Sequence, residues 1–209
     1  MTSFATQLRA APLIPVLTID DLSVAESLVL ALQAGGLKNV EVTLRTPVAL
    51  EAIALMKAAA PDLLIGAGTV LSEGDVEACF KVGADFIVTP GTSPRLRVAL
   101  LQADANVMVG VATATEVMSR LEEGFGVLKF FPAEQSGGAA ALKSFAGPLP
   151  DARFCPTGGV TADKIEAYLA LPNVVAVGGT WIATPELIAA RDFPSIEANA
   201  RKAAGYSKS

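Results

Sequence analysis

Eight runs of apolar and β-branched residues recur along the chain: LIPVL (13–17), VEVTL (40–44), LLIGA (63–67), DFIVT (85–89), NVMVGV (106–111), GVLKFF (126–131), ARFCP (152–156) and VVAVG (174–178). Each has the length and composition of a strand covered on both faces. Between most of them the apolar residues change to helical spacing. In DLSVAESLVLALQAGG, Leu22, Ala25, Val29 and Leu32 share one face, and Gly35 or Gly36 supplies the stop. Thr46-Pro47 and Ser93-Pro94 read as an N-cap followed by proline at the first helical position, and Ser72 to Asp75 and Thr113 to Glu116 read as capping boxes. Strand starts repeat at intervals of roughly 20 to 27 residues, the size of a compact strand-helix unit. No Pro/Gly/Ser-rich linker or charge run divides them. The pattern predicts an α/β protein, a single (β/α)8 TIM barrel over residues 1–209. An open doubly wound sheet is the rival, but it has no comparable reason to stop at eight strands.

Composition narrows the chemistry. The 209 residues are 52% hydrophobic and 18% charged, enough to bury a sizeable core. A net charge of -5 argues against nucleic acid and anionic membrane as partners. The N-terminus has no basic region followed by an apolar stretch, and no segment reaches the length of a membrane span, so a cytoplasmic location is expected. Cys79 and Cys155 have no CxxC spacing and suit a reducing compartment. The count of zero histidines matters most, because it removes the commonest general base, every Ser-His nucleophile pair and the commonest metal ligand. Chemistry here falls to Lys, Glu, Asp, Tyr or Cys, and no metal and no cofactor is expected.

Two predicted strands carry charges where a covered sheet has none to spare. In VEVTLRT, strand alternation places Glu41, Thr43 and Arg45 on one side and Val40, Val42 and Leu44 on the other. In GVLKFFPAE (126–134), Lys129 lies within an apolar run and shares a side with Val127 and Phe131. Two readings of Lys129 compete: a stem that snorkels to water, or a desolvated amine that serves as a nucleophile. If both strands turn these side chains into a barrel, an amine, a carboxylate and a guanidinium converge near its C-terminal mouth. That trio suits a 2-oxo acid: Lys129 forms a Schiff base with the ketone, Glu41 moves protons and Arg45 grips the carboxylate.

Gly-Gly pairs close the seventh and eighth units, in CPTGGVT (155–161) and VGGTW (177–181). Either alone fits a tight turn at positive φ. Together, at the units where barrels hold phosphate, they suggest backbone N–H groups, a following helix N-terminus and the Thr180 hydroxyl around an anion. GAGTV ends the third strand with Thr69, and VTPGTSP ends the fourth with Pro90.

EVTLRT, GAGTVL, TPG, KFFPAE followed by GG, FCPTGG and GGTW occur in that order over nearly the whole chain. As a set they closely resemble the 2-keto-3-deoxy-6-phosphogluconate (KDPG) aldolases, many of which also act on 4-hydroxy-2-oxoglutarate (KHG). The resemblance implies a class I, metal-free aldolase, usually trimeric, that cleaves KDPG to pyruvate and glyceraldehyde 3-phosphate, and KHG to pyruvate and glyoxylate. It implies Lys129 as the Schiff-base lysine and Glu41 as the acid/base. It places Arg45 and Thr69 on the pyruvate carboxylate, Phe131 and Pro90 along that pocket and Thr157 near the reacting hydroxyl. Gly158, Gly159, Gly178, Gly179 and Thr180 are implied around the phosphate. Two departures from the family pattern stand out: many members carry proline where Val109 stands, and serine where Ala112 or Thr180 stands. The segment VATATEV resembles the related 2-keto-3-deoxy-6-phosphogalactonate aldolases, which leaves the galactonate epimer as an alternative substrate. Other readings are a phosphosugar epimerase or synthase on the same barrel, a metal-dependent aldolase, and a phosphosugar-binding barrel without catalysis.

Overall fold

A computed structural model describes residues 3–103 and 105–206. Helix α1 (Phe4–Ala10) precedes eight strand-helix units. Their strands are β1 (Leu13–Leu17), β2 (Asn39–Thr43), β3 (Leu64–Gly68), β4 (Phe86–Val88), β5 (Asn106–Val111), β6 (Val127–Phe130), β7 (Phe154–Pro156) and β8 (Val177–Gly179). Their helices are α2 (Ala25–Ala34), α3 (Ala49–Ala59), α4 (Glu73–Lys81), α5 (Pro94–Gln102), α6 (Ala114–Glu122), α7 (Gly138–Phe145), α8 (Ile165–Leu169) and α9 (Pro185–Ala189), followed by α10 (Phe193–Ala204). All strand pairs are parallel, in the order β7-β6-β5-β4-β3-β2-β1-β8. Parallel bridges Phe154↔Val174 and Thr157↔Gly178 join the two ends, so the sheet curls into a TIM barrel and not an open sheet.

Helix starts follow the local chemistry at most of the predicted places. Ser72 with Asp75 and Thr113 with Glu116 form full capping boxes, and Ser93 caps α5 with Pro94 at its first position. Thr46-Pro47 does not cap a helix. The Thr46 hydroxyl donates to the Ile19 carbonyl at 2.5 Å, tying the β2 exit to the β1 exit, and α3 begins only at Ala49. The eighth strand also starts later than its apolar run, because Val175 N–H and the Asn173 carbonyl are taken up in bonding Phe154.

Alternation along the strands sorts two cores. Leu13, Leu17, Val40, Val42, Ile65, Ala67, Ile87, Val109, Leu128, Phe130 and Phe154 face the helices. Ile14, Phe86, Val88, Met108, Val127 and Cys155 fill the barrel, and Leu8 of α1 joins them. Phe4 packs on Phe86 at 5.6 Å between ring centroids, so α1 plugs the N-terminal end of the barrel. The interior is therefore closed from below, and the polar side chains of the upper layer open only at the C-terminal mouth.

Candidate active site

Four inward glycines make room for what the interior holds. A Cβ at Gly66 would sit 2.1 Å from the Phe86 ring, and one at Gly68 would sit 2.1 Å from Glu41 Oε1. A Cβ at Gly110 would meet the Pro90 carbonyl at 2.1 Å, and one at Gly178 would meet Thr157 Oγ1 at 2.5 Å. Glu41, Pro90 and Thr157 thus reach their places because the facing position on the next strand has no side chain.

At the centre, Lys129 Nζ lies 3.2 Å from Glu41 Oε1, with the two side chains 5% and 2% exposed. The ammonium also lies 5.2 Å from the centroid of the Phe131 ring. Lys129 does not snorkel: its head, not only its stem, is inside. Taking both charges out of water is costly unless they remain together, so the pair is a built feature of the interior. Cys155 lies beside Lys129 in register and faces the same interior. Burial, and then the Glu41 charge, push its thiol up to about 12, which keeps it protonated and inert.

Arg45 is placed differently from the alternation-based expectation. Strand β2 ends at Thr43, and Arg45 sits in the turn beyond it, exposed at the mouth. Its Nε donates to Thr69 Oγ1 at 3.2 Å. Thr69 has φ 58, a left-handed backbone that a β-branched residue rarely adopts, and such strain concentrates at functional positions. The carboxylate beside Lys129 is Glu41, and the guanidinium stands with Thr69 one layer above.

The glycine pairs are arranged less uniformly. Gly158 and Gly159 have φ of 103 and 73, so the turn does require glycine. The Thr157 and Gly158 carbonyls accept hydrogen bonds from the Ala133 and Glu134 N–H groups at 2.9 and 3.1 Å, which locks this loop to the one after β6. Gly178 and Gly179 belong to β8, and Thr180 follows them exposed at the rim. The expected helix N-termini are weak here: Gly159 is followed by a single 3₁₀ turn (Ala162–Lys164) before the five-residue α8, and α9 begins only at Pro185. Any anion at this rim rests on loop amides and hydroxyls more than on a helix dipole.

Two features escaped the sequence reading. Glu134, the last residue of KFFPAE, accepts a hydrogen bond from the buried Tyr168 hydroxyl at 2.5 Å and pairs with Lys164, and it packs against Gly159. Thr18 bonds Thr43 above Glu41, hydroxyl to hydroxyl at 3.0 Å. Of the two departures from the family pattern, Val109 is buried on the helix side of β5, away from the interior, whereas Ala112 lies at the β5 exit beside the 90–92 loop.

The chain is similar to known proteins along nearly its whole length. A family model described as KDPG and KHG aldolase matches residues 4–199. The 2-dehydro-3-deoxy-phosphogluconate aldolase of Pseudomonas aeruginosa is 45% identical over 198 residues, 95% of this chain and 90% of that protein. The KHG/KDPG aldolase of Escherichia coli is 37% identical over 202 residues, covering 97% and 95%. A crystal structure of the Legionella pneumophila KDPG aldolase, with pyruvate captured as a covalent carbinolamine, superposes with a TM-score of 0.93 at 40% identity, over 97% of this chain and 98% of that one. A plugged parallel barrel with a buried amine-carboxylate pair at its open end, matched along its length by these relatives, belongs to the KDPG and KHG aldolase family.

Proposed function

We propose that this protein is a class I aldolase cleaving KDPG to pyruvate and glyceraldehyde 3-phosphate, with Lys129 as nucleophile and Glu41 as proton carrier. The observation that carries the reading is the buried Lys129–Glu41 pair, 3.2 Å apart inside a barrel open only at its C-terminal end. Proton transfer from the ammonium to the carboxylate leaves a free amine that attacks the C2 ketone. The carbinolamine loses water to give a protonated imine, an electron sink. Glu41, again a carboxylate, takes the C4 hydroxyl proton through a water, the C3–C4 bond breaks to an enamine, and the aldehyde departs. Protonation at C3 and hydrolysis then release pyruvate. General base catalysis contributes about 10²- to 10⁴-fold, so covalent activation and positioning must supply more.

Arg45 and Thr69 bind the substrate carboxylate. Because Thr69 Oγ1 accepts from Arg45, its own proton remains for a substrate oxygen. Phe131 and Pro90 flank the pyruvate half, Thr157 stands near the reacting hydroxyl, and Gly158, Gly159, Gly178, Gly179 and Thr180 receive the phosphate. The relatives support the gluconate substrate, with KHG as a second one cleaved to pyruvate and glyoxylate. The chain acts as a homotrimer in the cytoplasm. In support, no described helix is long and apolar enough to cross a membrane, and Leu71, Phe80, Val98, Leu101 and Met118 are exposed on consecutive units.

The test is pyruvate with borohydride. One pyruvate-derived group per chain, mapped to Lys129 and absent in Lys129→Ala, is expected. Label on a different lysine would overturn the assignment.

A further inference from the structure

One hydrogen bond at the mouth has a fixed direction. Thr43 is fully buried on β2, two residues above Glu41 on the same inward face, and its Oγ1 lies 2.9 Å from the Leu17 carbonyl. A carbonyl only accepts, so the single Thr43 proton is committed there. Thr18 Oγ1 lies 3.0 Å from Thr43 Oγ1. With the Thr43 proton spent, Thr18 must be the donor of that bond. The Thr18 hydroxyl then has no proton left and shows only lone pairs to whatever lies beside it.

Thr18 faces the substrate path. Registers Val16↔Glu41 and Leu17↔Val42 continue to Thr18 opposite Thr43, and the alternation that turns Ile14 into the barrel turns Thr18 inward one layer above Glu41. Thr18 is half-buried and also borders a cavity of about 240 Å³ toward α9, where the Arg191 guanidinium is already engaged with Asp21 and Ser23. In the barrel order β1 lies between β2 and β8. A substrate whose carboxylate is held after β2 and β3 and whose phosphate is held after β8 carries its middle carbons past β1.

We infer that Thr18 is a specificity-determining residue: an acceptor that takes a hydrogen bond from the C5 hydroxyl of the substrate, oriented for this by Thr43, which acts as a positioning residue. This rests on the placement of the two substrate ends proposed above. It separates the two substrates chemically. The aldehyde half of KDPG carries a hydroxyl beside its carbonyl and can donate, whereas the glyoxylate half of KHG offers a carboxylate, another acceptor, and gains nothing at Thr18.

The experiment uses the condensation direction, with pyruvate and either glyceraldehyde 3-phosphate or its analogue lacking the C2 hydroxyl, 3-oxopropyl phosphate. The two aldehydes differ only in the group assigned to Thr18. Wild-type enzyme should prefer the hydroxylated aldehyde in kcat/KM by about tenfold, the worth of one neutral hydrogen bond. Thr18→Val should lose most of that preference and Thr18→Ser should keep it. Thr43→Val, which removes the oxygen that receives the Thr18 proton, should reduce it as well. Pyruvate trapping by borohydride reports separately whether the Lys129 site is assembled in each variant. Trapping at Lys129 together with a preference that survives in Thr18→Val would overturn the Thr18 assignment alone. A wild-type enzyme that traps no pyruvate at Lys129 would overturn the site reading, and this inference with it.

Discussion

Glu41 reaches Lys129 because residue 68 is glycine. A methyl group there would lie 2.1 Å from Glu41 Oε1 and 2.7 Å from its Cγ and Cδ, distances at which the carboxylate must move. Gly68→Ala should therefore separate the pair without touching either member. Pyruvate trapping should persist, since the amine remains, while cleavage falls by about 10² or more as the proton carrier leaves its place. Glu41→Gln should give the same split and should slow exchange of the pyruvate methyl protons. Cleavage at the wild-type rate in either variant would remove Glu41 from the mechanism. The buried thiols give a residue-scale prediction of a different kind. Burial pushes both Cys79 and Cys155 up to about 12. Both stay protonated in the folded state at pH values where an unfolded thiol, near 8.5, ionises. Their contribution to stability is complete below that value and is lost as pH rises toward 12, because the unfolded state binds fewer protons there. Iodoacetamide at pH 8 should leave both cysteines unmodified until the chain is unfolded. Fast alkylation of native protein would contradict the burial.

At the scale of elements, KFFPAE does two jobs that the sequence displayed as one. Its lysine faces the interior, and its Glu134 fastens the loop after β6 to the loop after β7. Lys164 first, and then Tyr168, hold the Glu134 carboxyl below the usual range, while burial and then Glu134 push the Tyr168 hydroxyl up. Because Gly159 packs against Glu134, this clamp sets the shape of the rim where the phosphate is proposed to bind. Tyr168→Phe should cost about 1.5 to 3 kcal/mol in urea unfolding, as expected for a buried bond to a charged acceptor. It should raise KM for phosphorylated substrate more than for KHG. An equal rise for both would restrict the clamp to a stabilising role. Much of this architecture was legible beforehand. β1 and β5 match their apolar runs, and both capping boxes form where Ser72 and Thr113 announce them. What was missed depended on where strands stop. Alternation carried past Thr43 kept Arg45 on the inward face of the strand, although the chain turns there and leaves it exposed at the mouth, whereas alternation carried one step past Leu17 would have found Thr18. The Glu134 clamp spans 34 positions to Tyr168 and leaves no periodic trace.

At the scale of the whole molecule, several large apolar side chains lie outside the barrel core, exposed to solvent. Leu71 precedes α4, Phe80 lies on α4, Val98 and Leu101 on α5, and Met118 on α6. Helices α4 and α5 pack together, and Val98 and Leu101 are three apart and so share a face of α5. Scattered singly, such residues need no explanation, as with Leu30 on α2 and Leu55 on α3, but the five named above fall on three consecutive units. Their exposure fits a face covered by another copy, as the trimer proposal requires. Charges on that face should then separate subunits and leave each barrel folded, because none of these side chains belongs to the interior layer that holds Lys129. Val98→Glu with Leu101→Glu should shift equilibrium sedimentation from three times the 21.4 kDa chain mass to one. Pyruvate trapping at Lys129 should still be detectable in the monomer, since the pair with Glu41 is built within one chain. A wild-type protein that sediments as a monomer at micromolar concentration would defeat the trimer. A trimer that survives both charges would place its interface on another face.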